Sequence, residues 1–367
     1  MPSSTSSSEP SAGAVIAAAE APYERALPAL PIAQIALLAI VSFLLAMAGW
    51  EAYWRAQGGV PGYRNSDGLW AIQRRRIDEG EGGALVAIGS SRLMFDLQLD
   101  VWQRLSGVRP IQLSLEGTSA MPILEDLADD PDFTGTLLVG VTPGLFFSGR
   151  GLRGNVPEYT RRETPAQRAS QWLSMHGLEN RFAWYEPDFA LFTGIERLDW
   201  PRRAGVERYI DVPKVSVTTS TDRNHRMWTR LEQDPDYARL VQRVWTQRQP
   251  RGPPTAEQQA RIAAEIEREI ERAVAAVAKL RARGVRVVFV RAPSDGEVLA
   301  GEQRRYPRAT TWDVLLARTG APGIHFEDHP DMQGLWLPEW SHLAGADADR
   351  WTAALYRAYV ALPDAQD

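Results

Sequence analysis

Five short β-rich runs constrain this chain more than any other feature: Ala84 to Ile88, Ile111 to Leu115, Thr136 to Val141, Arg286 to Val290 and Gly323 to Phe326. Each is followed by a helical pattern, a turn or an insertion. That alternation predicts an α/β fold built on a parallel sheet with crossover helices. The clearest helix runs from about Thr255 to Arg283. Thr255 and Gln258 form a capping-box pair, and Ile262, Ile266, Ile270, Val277 and Leu280 share one face. Lys279, Arg281 and Arg283 then precede a terminating Gly284. The apolar stripe is expected to cover the sheet, with the run up to Val290 entering as a buried strand. A length of 367 residues permits one large domain or two smaller ones.

Between Ser148 and Pro254 the pattern dissolves into a stretch rich in Arg, Trp and Pro with no clear strand alternation. It is too long for an ordinary loop. We read it as a helical or irregular insertion capping the functional edge of the sheet, with helices near Pro165 to Leu173 and Asp236 to Gln247. The expected organisation is a disordered tail (1–25), a membrane anchor (26–54), a first part of the α/β domain (55–147), the insertion (148–254) and a second part (255–367).

The tail is Ser- and Ala-rich and too poor in large apolar side chains to offset chain entropy. From Pro31 to Gly49 the run is apolar except for Gln34 and Ser42, about long enough to cross a bilayer at 1.5 Å per residue. Trp50, Tyr53 and Trp54 follow as an interfacial belt would. Two other readings stand beside a retained anchor. Ala46-Met47-Ala48 fits a signal-peptide cleavage site, although the preceding segment carries only Arg25 as a basic residue; a buried helix of a soluble core is the other. Arg55, Arg64 and Arg74-Arg75-Arg76 lie after the segment, which by charge alone favours a cytoplasmic soluble part.

Cysteine is absent, which excludes disulfides, thiolate metal sites and a cysteine nucleophile. A formal charge of -5 and the lack of any nucleic-acid module set nucleic acid aside as a partner. Gly149 to Gly154 matches a dinucleotide fingerprint by letter, but it follows Phe146-Phe147 rather than a strand end, so no nucleotide is expected. His325 and His329 flank Asp328 at a metal-like spacing on strand and loop, where the rings need not share a face; no metal or other cofactor is expected. Arg150, Arg153, Arg161, Arg162 and Arg168, with Arg291, Arg304, Arg305 and Arg308, are either solvated surface or a contact for an anionic glycan or lipid headgroup. Trp172, Trp184, Trp200 and Trp228 are either core packing or a sugar-stacking surface.

The chemistry-bearing residues lie at two distant places. Ala84 to Ile88 runs into Gly89-Ser90-Ser91-Arg92, a turn at the C-terminal edge of a parallel sheet, where open α/β folds place ligands and backbone amides can hold an oxyanion. Pro338-Glu339-Trp340-Ser341-His342-Leu343 lies just before a C-terminal helix, Ala346 to Leu362. A histidine there can turn toward Ser91, and a carboxylate three residues earlier can orient its ring, the logic of a Ser-His-acid triad. Plainer roles exist for each: a polar turn for Ser91, a helix N-terminal residue bonded to backbone for His342, a solvated carboxylate for Glu339. Asp328 is the alternative acid.

Taken in order, these blocks resemble the SGNH (GDSL-like) hydrolases and acyltransferases. Gly89-Ser90-Ser91 looks like their first block in the form found in envelope polysaccharide (alginate) O-acetylation proteins, and Glu339-Trp340-Ser341-His342-Leu343 is similar to their last block, Asp-x-x-His. The resemblance implies Ser91 as nucleophile, His342 as base and Glu339 as acid. Gly117, after the second strand, matches the second-block glycine, whose amide would join that of Ser91 in an oxyanion hole; the plainer reading is a turn with positive φ. The third block normally supplies an asparagine, whereas the third strand here ends Val141-Thr142-Pro143-Gly144, leaving Thr142 in that place. The family further implies a flavodoxin-like three-layer domain on the periplasmic side of a bacterial inner membrane. Its activity would be that of an esterase or O-acyltransferase on a cell-envelope or exported glycan, with a membrane-embedded acyltransferase as partner. A non-catalytic scaffold or polysaccharide-binding subunit is the alternative.

Overall fold

The computed structural model describes residues 30–363 apart from 152, 199–204, 206–208, 248–251 and 253; the expected tail (1–25) and Trp200 lie outside the described residues. All five β-rich runs are strands of one sheet: β1 (Leu85–Ile88), β2 (Ile111–Gln112), β3 (Thr136–Gly140), β6 (Arg286–Arg291) and β7 (Gly323–His325). They are parallel throughout, in the order β2-β1-β3-β6-β7. Gly89 and Gly140 stand side by side at the ends of β1 and β3, and a Cβ on either would press on Leu93. Their lack of side chains lets the helix Ser91–Asp96 start directly at the sheet edge.

The strands read as continuous apolar runs because both faces are covered. Val86, Ile88, Leu137, Val139, Val287 and Phe289 point into one core with the helices Met121–Asp129, Ala256–Arg281 and Trp312–Thr319. Leu85, Ala87, Leu138, Val288 and Val290 point into a second, packed by Leu93, Trp102, Trp351 and Leu355. The long helix begins at Ala256 with both arms of the Thr255–Gln258 capping box formed, and Gly284 beyond its end has φ 77°. Leu138 is central to the second core and fully buried. Leu138→Ala is expected to lower unfolding stability by about 2–5 kcal/mol, read as a fall in the urea midpoint at unchanged slope.

The insertion holds the expected helices, Pro165–Ser174 and Pro235–Thr246, and also an antiparallel hairpin that the sequence reading missed, β4 (Ser216–Thr218) and β5 (His225–Met227). Each strand has three residues, too few for an alternation to register. The hairpin is tied to the sheet rather than laid over it. Arg223, fully buried at its tip with φ 66°, donates to the carbonyl oxygens of Gln112 (2.7 Å), the last residue of β2, and Ser114 (2.8 Å) just past it. The chain divides into two compact units, one ending at Ala52 and the other running from Tyr53, and the insertion belongs to the second.

His225 in this hairpin is buried, with Nδ1 against the Arg223 carbonyl oxygen (2.9 Å) and Nε2 against Thr218 Oγ1 (2.8 Å). Burial, then the Arg223 charge, pushes its pKa down to about 3. The unfolded chain protonates near 6.5, so the neutral ring's contribution is present above that pH and is lost progressively as pH falls toward 3. Urea midpoints are expected to fall across that window, and less steeply in His225→Asn.

The N-terminal unit contains most of the helix Ile32–Ala56, 25 residues with a mean hydropathy of 2.3 over its most apolar stretch. None of that stretch is buried, unlike a helix of a soluble core, and it is long and apolar enough to cross a bilayer.

Candidate active site

Ser91 opens the short helix after β1, and Ser90 caps it, accepting from the Arg92 N–H. From the far end of the chain the segment 338–344 returns to the same rim. His342 Nε2 lies 2.9 Å from Ser91 Oγ, and His342 Nδ1 lies 2.6 Å from Glu339 Oε1. An ionised carboxylate only accepts, so Nδ1 is the donor to Glu339. In the neutral ring Nε2 is then the acceptor, and the Ser91 hydroxyl donates to it.

Three features of the loop create this geometry. Trp340, between acid and base, adopts φ 70°, a left-handed conformation uncommon for a bulky residue. Its carbonyl oxygen accepts from the Asp295 N–H (2.9 Å), and its indole lies against Gly296, where a Cβ would come within 2.7 Å of the ring. The fully buried Asp96 accepts from the Leu343 N–H at 2.9 Å, anchoring the residue after His342 to the nucleophile's own helix. Burial pushes the Asp96 carboxyl well above the usual carboxylate range.

Glu339 is completely buried, and its second oxygen, Oε2, accepts from the Trp245 indole N–H and from the Ser341 N–H (3.2 Å). Trp245 belongs to the Pro235–Thr246 helix, so the insertion supplies part of the acid's environment. The His342 ring packs on Phe95, centroids 4.6 Å apart, and edge-on to Trp245 at 6.0 Å. Beside it Arg92 donates from Nε to Ser341 Oγ (3.2 Å) and pairs with Glu302 (2.7 Å), which also pairs with Arg291 (2.6 Å). Burial opposes ionisation of Glu302, but the two guanidinium groups hold its carboxyl below the usual range.

Ser91, His342, Gly117 and Thr142 all line one cleft of about 2150 Å³. Gly117 takes φ 61°, which brings its backbone to the rim without Cβ strain. The Thr142 hydroxyl is engaged by Ser90 Oγ at 2.5 Å, so its role in the ground state is to hold the turn before Ser91. Asp328, the alternative acid, is instead clamped by Arg308 through 2.7 and 2.8 Å hydrogen bonds. His325 packs edge-on to Trp312, and its Nδ1 accepts from the Glu327 N–H; burial pushes its pKa down to about 3. Gly149 to Gly154 meets Thr118 through an isolated bridge at Gly151 and follows no strand.

The arginine-rich stretch is largely neutralised: Arg153 pairs with Asp67, Arg161 with Asp126 and Glu158, Arg162 with Glu158, and Arg168 with Glu163. Trp228 is buried against Phe189 and Tyr237, Trp184 meets Phe182 and Tyr185, and Trp172 stacks on His176. None of these three indoles lines the cleft. Sequence reading found the three linked polar residues but missed Trp245, Asp96, Arg92 and Glu302. Asp96 had a weak signal, an acid inside the apolar run from Leu93 to Leu99; Trp245 had none.

No protein-family model matches this chain, and a search of curated proteins finds no similar sequence.

Proposed function

We propose that this chain is a membrane-anchored serine esterase or O-acyltransferase of the SGNH (GDSL-like) kind, acting on a cell-envelope or exported glycan from the periplasmic face of a bacterial inner membrane. The observation that carries the reading is the continuous Ser91–His342–Glu339 hydrogen-bond chain at the rim of the cleft. The strand order supports it: numbered within the sheet it runs second, first, third, fourth, fifth, as in flavodoxin-like folds, with Ser91 at the C-terminal edge near the switch point. The glycan, the compartment and a membrane-embedded acyl-transferring partner follow from the family resemblance alone.

In this mechanism Ser91 Oγ bonds to the ester carbonyl carbon as its proton passes to His342 Nε2. The backbone N–H groups of Ser91 and Gly117 hold the oxyanion. Collapse breaks the carbon–oxygen bond to the leaving alkoxide, which takes the proton from Nε2. A sugar hydroxyl or water then attacks the acyl-serine, giving its proton to His342, and the bond to Ser91 Oγ breaks as Oγ takes that proton back from Nε2. Glu339 keeps the ring in the accepting tautomer and stabilises the imidazolium.

A second reading, a scaffold or glycan-binding subunit without turnover, is favoured by the engagement of the Thr142 hydroxyl with Ser90. A fluorophosphonate separates the two. The full-length protein is expected to gain one phosphonyl adduct, mapped to Ser91 by peptide mass spectrometry; absence of labelling selects the scaffold.

A further inference from the structure

The Ala256–Arg281 helix is about 39 Å long at 1.5 Å per residue, roughly twice the span of β6, which is about 20 Å at 3.3 Å per residue. It leads into β6 through the turn at Gly284, so its C-terminal half lies on the sheet. Its N-terminal half continues past the sheet's C-terminal edge, the edge that carries Ser91. The apolar stripe continues with it: Ile262 and Ile266 line the same cleft as Ser91. Leu145 and Tyr306 line it too, with Ile210 and Val212, which are 45% and 51% exposed, from the insertion. The cleft's 2150 Å³ is about twice the upper end of the ~300–1,000 Å³ usual for small-molecule sites. A sugar ring calls for flat aromatic faces and paired polar groups. Phe95 and Trp245 also line the cleft, but both pack on His342, and the three indoles considered for sugar stacking lie elsewhere; charged groups such as Lys214, Arg304 and Arg305 share the lining with the aliphatic ones. Aliphatic side chains along an open trough suit a hydrocarbon chain, whose burial is driven by the area removed from water.

We propose that the acyl group carried by Ser91 is an aliphatic chain well beyond acetyl in length, laid along the trough of Ile262, Ile266, Leu145, Tyr306, Ile210 and Val212. This rests on the acyl-transfer reading of Ser91 and narrows its substrate class. Each methylene buried is worth about fourfold, and several fit.

The test uses the full chain in lipid nanodiscs with p-nitrophenyl acetate, butyrate, hexanoate and octanoate. The expected result is a kcat/KM for octanoate at least about 100-fold above acetate. In Ile262→Trp, a half-buried position whose folding is checked by its melting transition, that ratio is expected to fall by about tenfold or more. Equal or preferred acetate turnover overturns the inference and leaves the esterase reading standing. Binding of a fluorescent fatty acid by Ser91→Ala nanodiscs, against protein-free nanodiscs, reads the trough without chemistry. Saturable binding weakened by Ile262→Trp supports the trough even if no ester is turned over, in which case the acyl-transfer reading fails. Absence of such binding together with absence of chain-length preference overturns the trough.

Discussion

Ser91→Ala is expected to lower kcat for ester hydrolysis by at least about 10⁴-fold, with little change in melting temperature. The Oγ makes the one bond between the protein and the acyl carbon in the proposed mechanism, so no neighbouring group takes over at comparable rate. The substitution removes one hydroxyl from a half-buried position where it is hydrogen-bonded to His342. The β1 strand, the Ser90 cap and the glycine pair at 89 and 140 remain. Fold and activity therefore separate cleanly in this variant. A Ser91→Ala protein that still hydrolyses octanoate or acetate within tenfold of the parent would show that this hydroxyl is not the nucleophile.

Glu339→Gln is the second large effect, and the structure sets its sign. Two donors, the Trp245 indole N–H and the Ser341 backbone N–H, meet Oε2 in a completely buried site. A glutamine keeps both bonds only by placing its carbonyl oxygen there, which turns its NH₂ toward His342 Nδ1. That nitrogen must then accept, and the ring proton moves to Nε2, facing Ser91, where it cannot receive the hydroxyl proton. A loss of about 10²–10⁴-fold in kcat is expected from the reversed tautomer. Trp245→Phe combined with Glu339→Gln removes one of the two donors and is expected to recover part of that loss. Equal loss in both variants would mean that the indole does not fix the orientation of the side chain at 339.

The sheet was legible because its signal is local. Alternation of apolar runs with turns and helices identified all five strands and their parallel arrangement, and the Thr255–Gln258 pair marked the helix start to within a residue. The β4–β5 hairpin was not legible, since three-residue strands carry no period and its ties, such as Arg223 to the carbonyls of Gln112 and Ser114, are made to a distant segment. At the site, Ser91, His342 and Glu339 were readable because turn chemistry and a three-residue spacing are local as well.

The amino-acid order by itself determined which segments become strands of the parallel sheet, where the long helix starts, and that an apolar helix precedes the α/β unit. Tertiary structure alone decided what else the two candidate carboxylates meet: Arg308 captures Asp328, and the Trp245 indole donates to the buried Glu339. It also decided that most of the arginine-rich stretch is paired with acids and that the long helix walls the cleft with isoleucines. Periodicity and capping act over a few residues, whereas charge pairing and burial depend on groups that meet only after the sheet has brought distant segments together.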